Sequence, residues 1–360
     1  AWDRAGKMLG YWMLLLCVTL GLAAVLTPGA LALLAPGFSP ELRAQTQSLT
    51  QVLLVMAAVV GMARLLAVTL HAERRFLAAG ASEAAFQITS TIFLVAFHDW
   101  GILAIAWAQV FGGFVQLLVV SIGLLDRRRR LRPRLHLGDR VVKRMIRLSL
   151  PVYVGDSGDK LNLMVTRAFA SMLPAGAVSS LQYAYTLVEG FEAMLGGALT
   201  TALFPFLSHR FAARDDTGAR AGLGRAVLTA ALVFLPLSVG LFLVAEPLVV
   251  VLFERGSFDA ESTRLTASAL QFYAPAVLAL GLNGLLGSLF HARQQPEQPM
   301  KAGLARVLTN TALCAALVPA LEHRGIALAT TVSLYVKLAI LIFFLRAVFS
   351  YAEIRRTVRG

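Results

Sequence analysis

The sequence is poor in what soluble chemistry is built from. Charged residues make up 15% of 360 positions, and they cluster in short groups between apolar runs instead of mixing into them. There are two cysteines, Cys17 and Cys314, both within apolar runs and with no CxxC or zinc spacing. They argue against a disulfide scaffold and are read as packing residues. The six histidines, His71, His98, His136, His209, His291 and His323, fall near the ends of the apolar runs or between them. No HxxxH or HExxH pair occurs, so no metal site is suggested. A GxSxG turn, a phosphate-binding loop and a GxGxxG after a strand are all missing. Serines beside acids, such as Ser157 next to Asp159, have no histidine base nearby in sequence. An enzyme is not expected, and neither is a cofactor. The chain opens AWDRAGK and then turns apolar, so no secretory signal is visible. Beginning on Ala1, it reads as a fragment or a trimmed product.

What is present is apolar surface. Hydrophobic residues reach 58%, with a mean hydropathy of +0.71, which a soluble domain cannot bury. A spanning helix needs about 20 apolar residues. Ten segments qualify: 8–34, 47–71, 78–98, 101–125, 145–172, 177–205, 226–253, 264–290, 300–320 and 325–348. In lipid the backbone must satisfy itself, so these are helices, and no repeated two-residue alternation argues for a barrel. The expected class is all-α: a polytopic protein of the bacterial cytoplasmic (inner) membrane.

The net charge of +13 would suggest nucleic acid in a soluble protein. Here topology accounts for it. With the N-terminus in the cytoplasm, the basic groups around Arg4, Arg74, the loop Asp126–Arg147, Arg210–Arg225, Arg293–Arg306 and the tail all fall on the cytoplasmic side. The outer side receives only Arg43, Arg255, Arg264 and Arg324. One missed span in the middle would destroy that asymmetry, so both termini of this chain are expected in the cytoplasm. The run Arg127–Arg130 reads as a topology anchor touching anionic membrane lipid, not as a nucleic-acid site.

Two stretches look alike. PGALALLAPGF from Pro28 and PLVVVLFERGSF from Pro247 each place Gly nine residues after Pro, and each ends one helix and starts the next. They share an orientation and lie six segments apart, the spacing of two parallel six-helix lobes. The expected organisation is an N-terminal lobe 1–130 whose first two helices are missing, a basic cytoplasmic linker 131–147, and a C-terminal lobe 148–360.

Several motifs, in order along the chain, resemble the MurJ (MviN) family of the multidrug/oligosaccharide-lipid/polysaccharide exporter superfamily. They are APGF at Ala35–Phe38, AFASMLPAGAVSSLQYA at Ala168–Ala184, GGALTTALFPFLS at Gly196–Ser208, LFERGSFD at Leu252–Asp259 and LFHARQ followed by Pro at Leu289–Pro299. The family fold has fourteen helices, twelve of them in two lobes, and on that template this chain runs from the third to the twelfth. The resemblance implies movement of an undecaprenyl-diphosphate-linked peptidoglycan precursor to the outer leaflet. It also implies lobes rocking about a central cavity and an ion gradient or membrane potential biasing the cycle. Where the family follows the TyrAla of segment six with AspArg or AsnArg, this chain has Tyr185 and Thr186.

An ionisable side chain inside a span is a functional hypothesis by default. Segment five holds Asp156, Asp159, Lys160 and Arg167. Asp156 and Lys160 share a helical face and can neutralise each other, while Gly155 and Gly158 loosen the helix. The candidate substrate-binding residues are Lys160, Arg167, Arg64 in segment two and Lys337 in segment ten, a cationic set for a diphosphate. The bland alternative is an internal salt bridge, with Arg167 snorkelling to the outer surface. Asp156, Asp159 and Glu189 are the candidate gating or ion-pair residues. Glu189 either pairs with Lys160 or Arg64 in one state of a cycle or makes a static interhelical bond. The expected partners are a lipid-linked glycan, membrane lipid and cell-wall synthesis proteins, with no nucleic acid. The rival readings are an exporter of another lipid-linked polysaccharide or amphipathic small molecule, and a non-transporting cell-wall scaffold.

Overall fold

Long apolar runs leave the backbone no partner but itself in lipid, and the chain accordingly folds as helices. A computed structural model describes residues 2–125, 158–174, 176–213, 216–293 and 295–357, with no strand among them. The expected linker and the start of segment five lie outside the described residues. The helices are α1 (Trp2–Leu34), α2 (Pro40–Ala72), α3 (Phe76–Ala96), α4 (Ile102–Gly123), α5 (158–170), α6 (Ala177–Ala212), α7 (Asp216–Leu243), α8 (Ala245–Phe253), α9 (Ala260–Tyr273), α10 (Ala276–Ala292) and α11 (Glu297–Thr357). Among the described residues, five helices are long and apolar enough to cross a membrane, and the bent pair α9–α10 makes a sixth.

Two expected segments are divided, each for a local reason. Segment seven stops at Leu243 and restarts at Ala245, because Pro247 has no N–H to continue the ladder and is tolerated only in a first turn. Segment eight bends by 48° between Tyr273 and Ala276, where Pro275 removes another donor. Segments nine and ten run on as α11, interrupted at Glu322 with φ 51° and ψ −129°.

The two similar hairpins share a cap. Ser39 Oγ accepts the Leu42 N–H at 3.3 Å at the start of α2, and Asp259 Oδ1 accepts the Ser262 N–H at 2.9 Å at the start of α9. Each satisfies an orphan donor of the first turn. They differ before the turn, where α1 has 33 residues and α8 only nine.

The chain divides into two compact units. One comprises Ala1–Leu33 and Phe38–Arg147, the other Leu34–Gly37 and Leu148–Gly360. In the first, α4 packs on α2 and α3, with Gly112 closed against Ser90 and Phe86. In the second, a larger core gathers around Phe234, Leu270, Tyr273, Phe290 and Ile326. Large apolar side chains lie bare on the outside, Leu77 at 91% exposure and Val251 at 77%. Water would make that a liability, whereas lipid makes it the expected surface.

Candidate functional site

The polar interior of the second unit begins where two backbones meet. A Cβ on Gly158 would come within 3.3 Å of the Gly303 backbone, so only small residues allow α5 and α11 to approach this closely. Gly158 thus serves close packing between the two helices. That approach delivers Asp159 to Arg306, whose guanidinium donates from NH1 to Asp159 Oδ1. Beyond the break at Glu322, Lys337 Nζ donates to the same carboxylate, 3.2 Å from Oδ1 and 3.1 Å from Oδ2. Arg306 is 4% exposed, while the Asp159 side chain is 51% exposed. One turn further along α11, Asn310 donates from Nδ2 to Thr166 Oγ1 at 3.2 Å. Two cations on one carboxylate, Arg306 buried and Lys337 partly so, leave a net positive charge, held by polar neighbours as low-dielectric surroundings require.

Asp159, Thr166 and Arg306 border a cavity of about 200 Å³. Helix α5 contributes Asp159, Asn162, Thr166 and Ala170 at spacings of three and four, with Lys160 and Arg167 beside them; α6 contributes Leu181, Tyr185 and Glu189, each four residues on. Tyr273 and Leu280 close it from α9 and α10, and Arg306 and Thr330 from α11. Arg167 donates to Gln182 Oε1 at 3.2 Å, and Gln182 Nε2 in turn donates to Thr186 Oγ1 at 3.2 Å. Tyr185 stands edge-on to the buried Tyr273, with ring centres 5.3 Å apart.

The structure brings Asp159, Lys160, Arg167 and Glu189 to one cavity. Lys337 joins them only through its pair with Asp159. Glu189 faces this cavity with Lys160 and Arg306 supplying the positive charge around it. Arg64 belongs to the other unit, where it lies 3.9 Å from Glu83 with its side chain 70% exposed. Glu83 also accepts from the buried Gln116 Nε2 at 2.8 Å. Asp156, and with it the expected pair to Lys160, lies outside the described residues.

Sequence reasoning counted Arg306 with the cytoplasmic basic groups and passed over Asn162 and Asn310. A signal was available. Helix α11 starts at Glu297, so Arg306 lies more than two turns inside it. It shares a face with Asn310, four residues on, within an otherwise apolar stretch. A polar stripe of that spacing marks the interior side of a spanning helix.

The turn between α8 and α9 is internally bonded. Thr263 Oγ1 donates to Glu254 Oε2 at 2.7 Å, and Arg264 donates to both carboxylate oxygens of Glu261 at 2.9 and 2.7 Å. The Ser262 N–H holds the Asp259 carboxyl below the usual carboxylate range.

A family profile described as "Lipid II flippase MurJ" matches residues 3–357. The chain is 26% identical over 340 residues to a probable lipid II flippase MurJ of Buchnera aphidicola subsp. Acyrthosiphon pisum, covering 93% of this chain and 66% of that protein. It is 25% identical to the Rickettsia prowazekii counterpart over 94% of this chain and 67% of that one. A Burkholderia cenocepacia lipid II flippase MurJ is 32% identical over 67% of this chain and 48% of its own length. The chain thus spans about two thirds of the length of the first two relatives. Among solved structures, a lipid II flippase MurJ in an inward closed conformation superposes with a TM-score of 0.80 at 18% identity, over 96% of this chain and 72% of that one. An inward-facing multidrug resistance MATE family transporter of the MOP superfamily gives 0.82 at 15% identity, over 98% and 82%. These likenesses establish an all-α, multi-pass membrane transporter fold, and the match along residues 3–357 makes the chain a member of the MurJ family.

Proposed function

We propose that this protein moves lipid II, the undecaprenyl-diphosphate-linked peptidoglycan precursor, across the bacterial cytoplasmic membrane by alternating access. Both termini of this chain face the cytoplasm, and an ion gradient or the membrane potential biases the cycle. Cell-wall synthesis proteins supply and consume the substrate. No covalent bond is made or broken, so the task is to shelter a charged head group while the lipid tail stays in the bilayer. The observation that carries the reading is a family match over nearly the whole chain joined to a cavity with Lys160, Arg167 and Arg306 at its wall. Lysine and arginine are the residues that hold phosphate oxygens. In this reading Lys160, Arg167 and Lys337 attend the diphosphate, and Asp159 and Glu189 serve as its competing counter-ions.

The test is replacement of a bacterium's own lipid II flippase by this protein, with lipid II accessibility measured on the outer face. Accessibility should be restored by the wild-type protein and reduced about tenfold by Lys160→Ala, the loss of one charge-assisted contact. Full accessibility with Lys160→Ala would remove the cavity from the pathway. Normal accessibility without any flippase, accompanied by mislocalised cell-wall enzymes, would favour the scaffold reading.

A further inference from the structure

Arg167 reaches the cavity wall from α5, and two residues of α6 hold it there. Gln182 and Thr186 are one turn apart, on one face of that helix. The Thr186 hydroxyl has a single proton and donates it to the Gln182 backbone carbonyl at 2.8 Å. Its oxygen is then left to accept, and it accepts from Gln182 Nε2 at 3.2 Å. With the amide nitrogen turned to Thr186, Gln182 Oε1 faces Arg167 and accepts from its guanidinium at 3.2 Å. The reverse amide orientation would set donor against donor at both ends. Thr186 therefore fixes which end of Gln182 meets the arginine.

All three residues are exposed, so these bonds, and not packing, set the geometry. A long arginine in a span otherwise extends toward the aqueous boundary. The nature of the anchor decides how much charge is left over. Arg306 and Lys337 share the carboxylate of Asp159, and Lys160 lies in the field of Glu189. Arg167 is anchored by a neutral carboxamide, so its positive charge is not spent on its anchor. A guanidinium fixed in advance also loses less conformational freedom when it meets a phosphate.

We infer that Gln182 and Thr186 are positioning residues for Arg167, holding its guanidinium at the cavity wall for the phosphate oxygens of the head group. The inference rests on the flippase reading and names two residues that act on the substrate through Arg167.

The test is binding of undecaprenyl diphosphate by the full chain in lipid nanodiscs. Arg167→Ala should weaken it about tenfold, the loss of a charge-assisted contact. Gln182→Met, similar in length but without the amide, should weaken it about fivefold in the wild-type background and leave it unchanged in Arg167→Ala. A merely structural role would give the same loss in both backgrounds. Thr186→Val keeps the shape without the hydroxyl and should match Gln182→Met, whereas Thr186→Ser should bind as the wild type does. Three results overturn the positioning role and leave the flippase reading standing: full binding with Arg167→Ala or Gln182→Met, equal losses for Gln182→Met in the two backgrounds, or Thr186→Ser as weak as Thr186→Val. Failure of the wild type to bind the lipid overturns both.

Discussion

Lys337 Nζ stands 3.1 Å from Asp159 Oδ2, on a carboxylate that also holds the buried guanidinium of Arg306. The carboxylate is the only link between these two cations among the described ion pairs. Asp159→Asn would leave both in a low-dielectric interior without a counter-ion. The expected loss is about 3 kcal/mol, the low end for a broken buried pair because Asp159 is half open. Thermal unfolding in detergent measures it. Adding Lys337→Met should recover part of the loss, and an unchanged midpoint for Asp159→Asn would show the triad to be energetically idle.

A methyl group on Gly281 of α10 would overlap the ring of Phe234 on α7, and Phe234 is fully buried. Gly281→Ala should therefore destabilise the second unit by about 2 kcal/mol through overpacking. Phe234→Leu in the same chain should relieve much of that. Two independent, additive losses would contradict the contact.

The bend between α9 and α10 is stitched by neighbours. Carbonyls at Phe272, Ala274 and Pro275 accept from Thr331 Oγ1 at 2.7 Å, Ser238 Oγ at 2.9 Å and Tyr335 Oη at 2.9 Å. Thr331→Val keeps the shape and removes the donor, which should cost about 1–2 kcal/mol. Hydrogen exchange at the bend should rise with it. A silent exchange profile would mean that the carbonyl finds another donor at no cost.

His323, at the break in α11 and outside the spans, is buried, with Nε2 2.7 Å from Ser268 Oγ. Burial holds its imidazole below the usual histidine range; Arg324 and Arg264 add to that, while Glu322 and Glu261 oppose it. Above pH 6.5, the ordinary value, the ring is neutral whether folded or unfolded. As pH falls below it the unfolded chain takes up the proton first, so stability drops toward acid. His323→Gln should flatten that part of the profile between neutral and mildly acidic pH. A variant with the parental slope would assign the loss to other groups.

Much of this was legible in one sequence because membrane solvation is a one-dimensional constraint. Length, hydropathy and the placing of arginines mark helices whatever their neighbours do, and the paired Pro–Gly hairpins at Pro28 and Pro247 are local features. The breaks at Val244 and Pro275 were passed over since the apolar run continues through them; Pro247 and Pro275 were the available signs. Lys160, Arg167 and Glu189 were found because a charge in a span stands out. Arg306 was missed because it lies near a basic loop, and only its spacing to Asn310 shows that it turns inward.

The sequence by itself determined that this is a helical membrane protein of the MurJ family with ionisable groups in its spans, since solvation and motif order depend on the chain alone. Only the tertiary structure decided which charges meet. Asp159, Arg306 and Lys337 lie on segments 147 and 178 residues apart, and nothing local couples them. The glycine contact between α5 and α11 and the break at Glu322 set their distances, so the charge of the cavity is a property of packing.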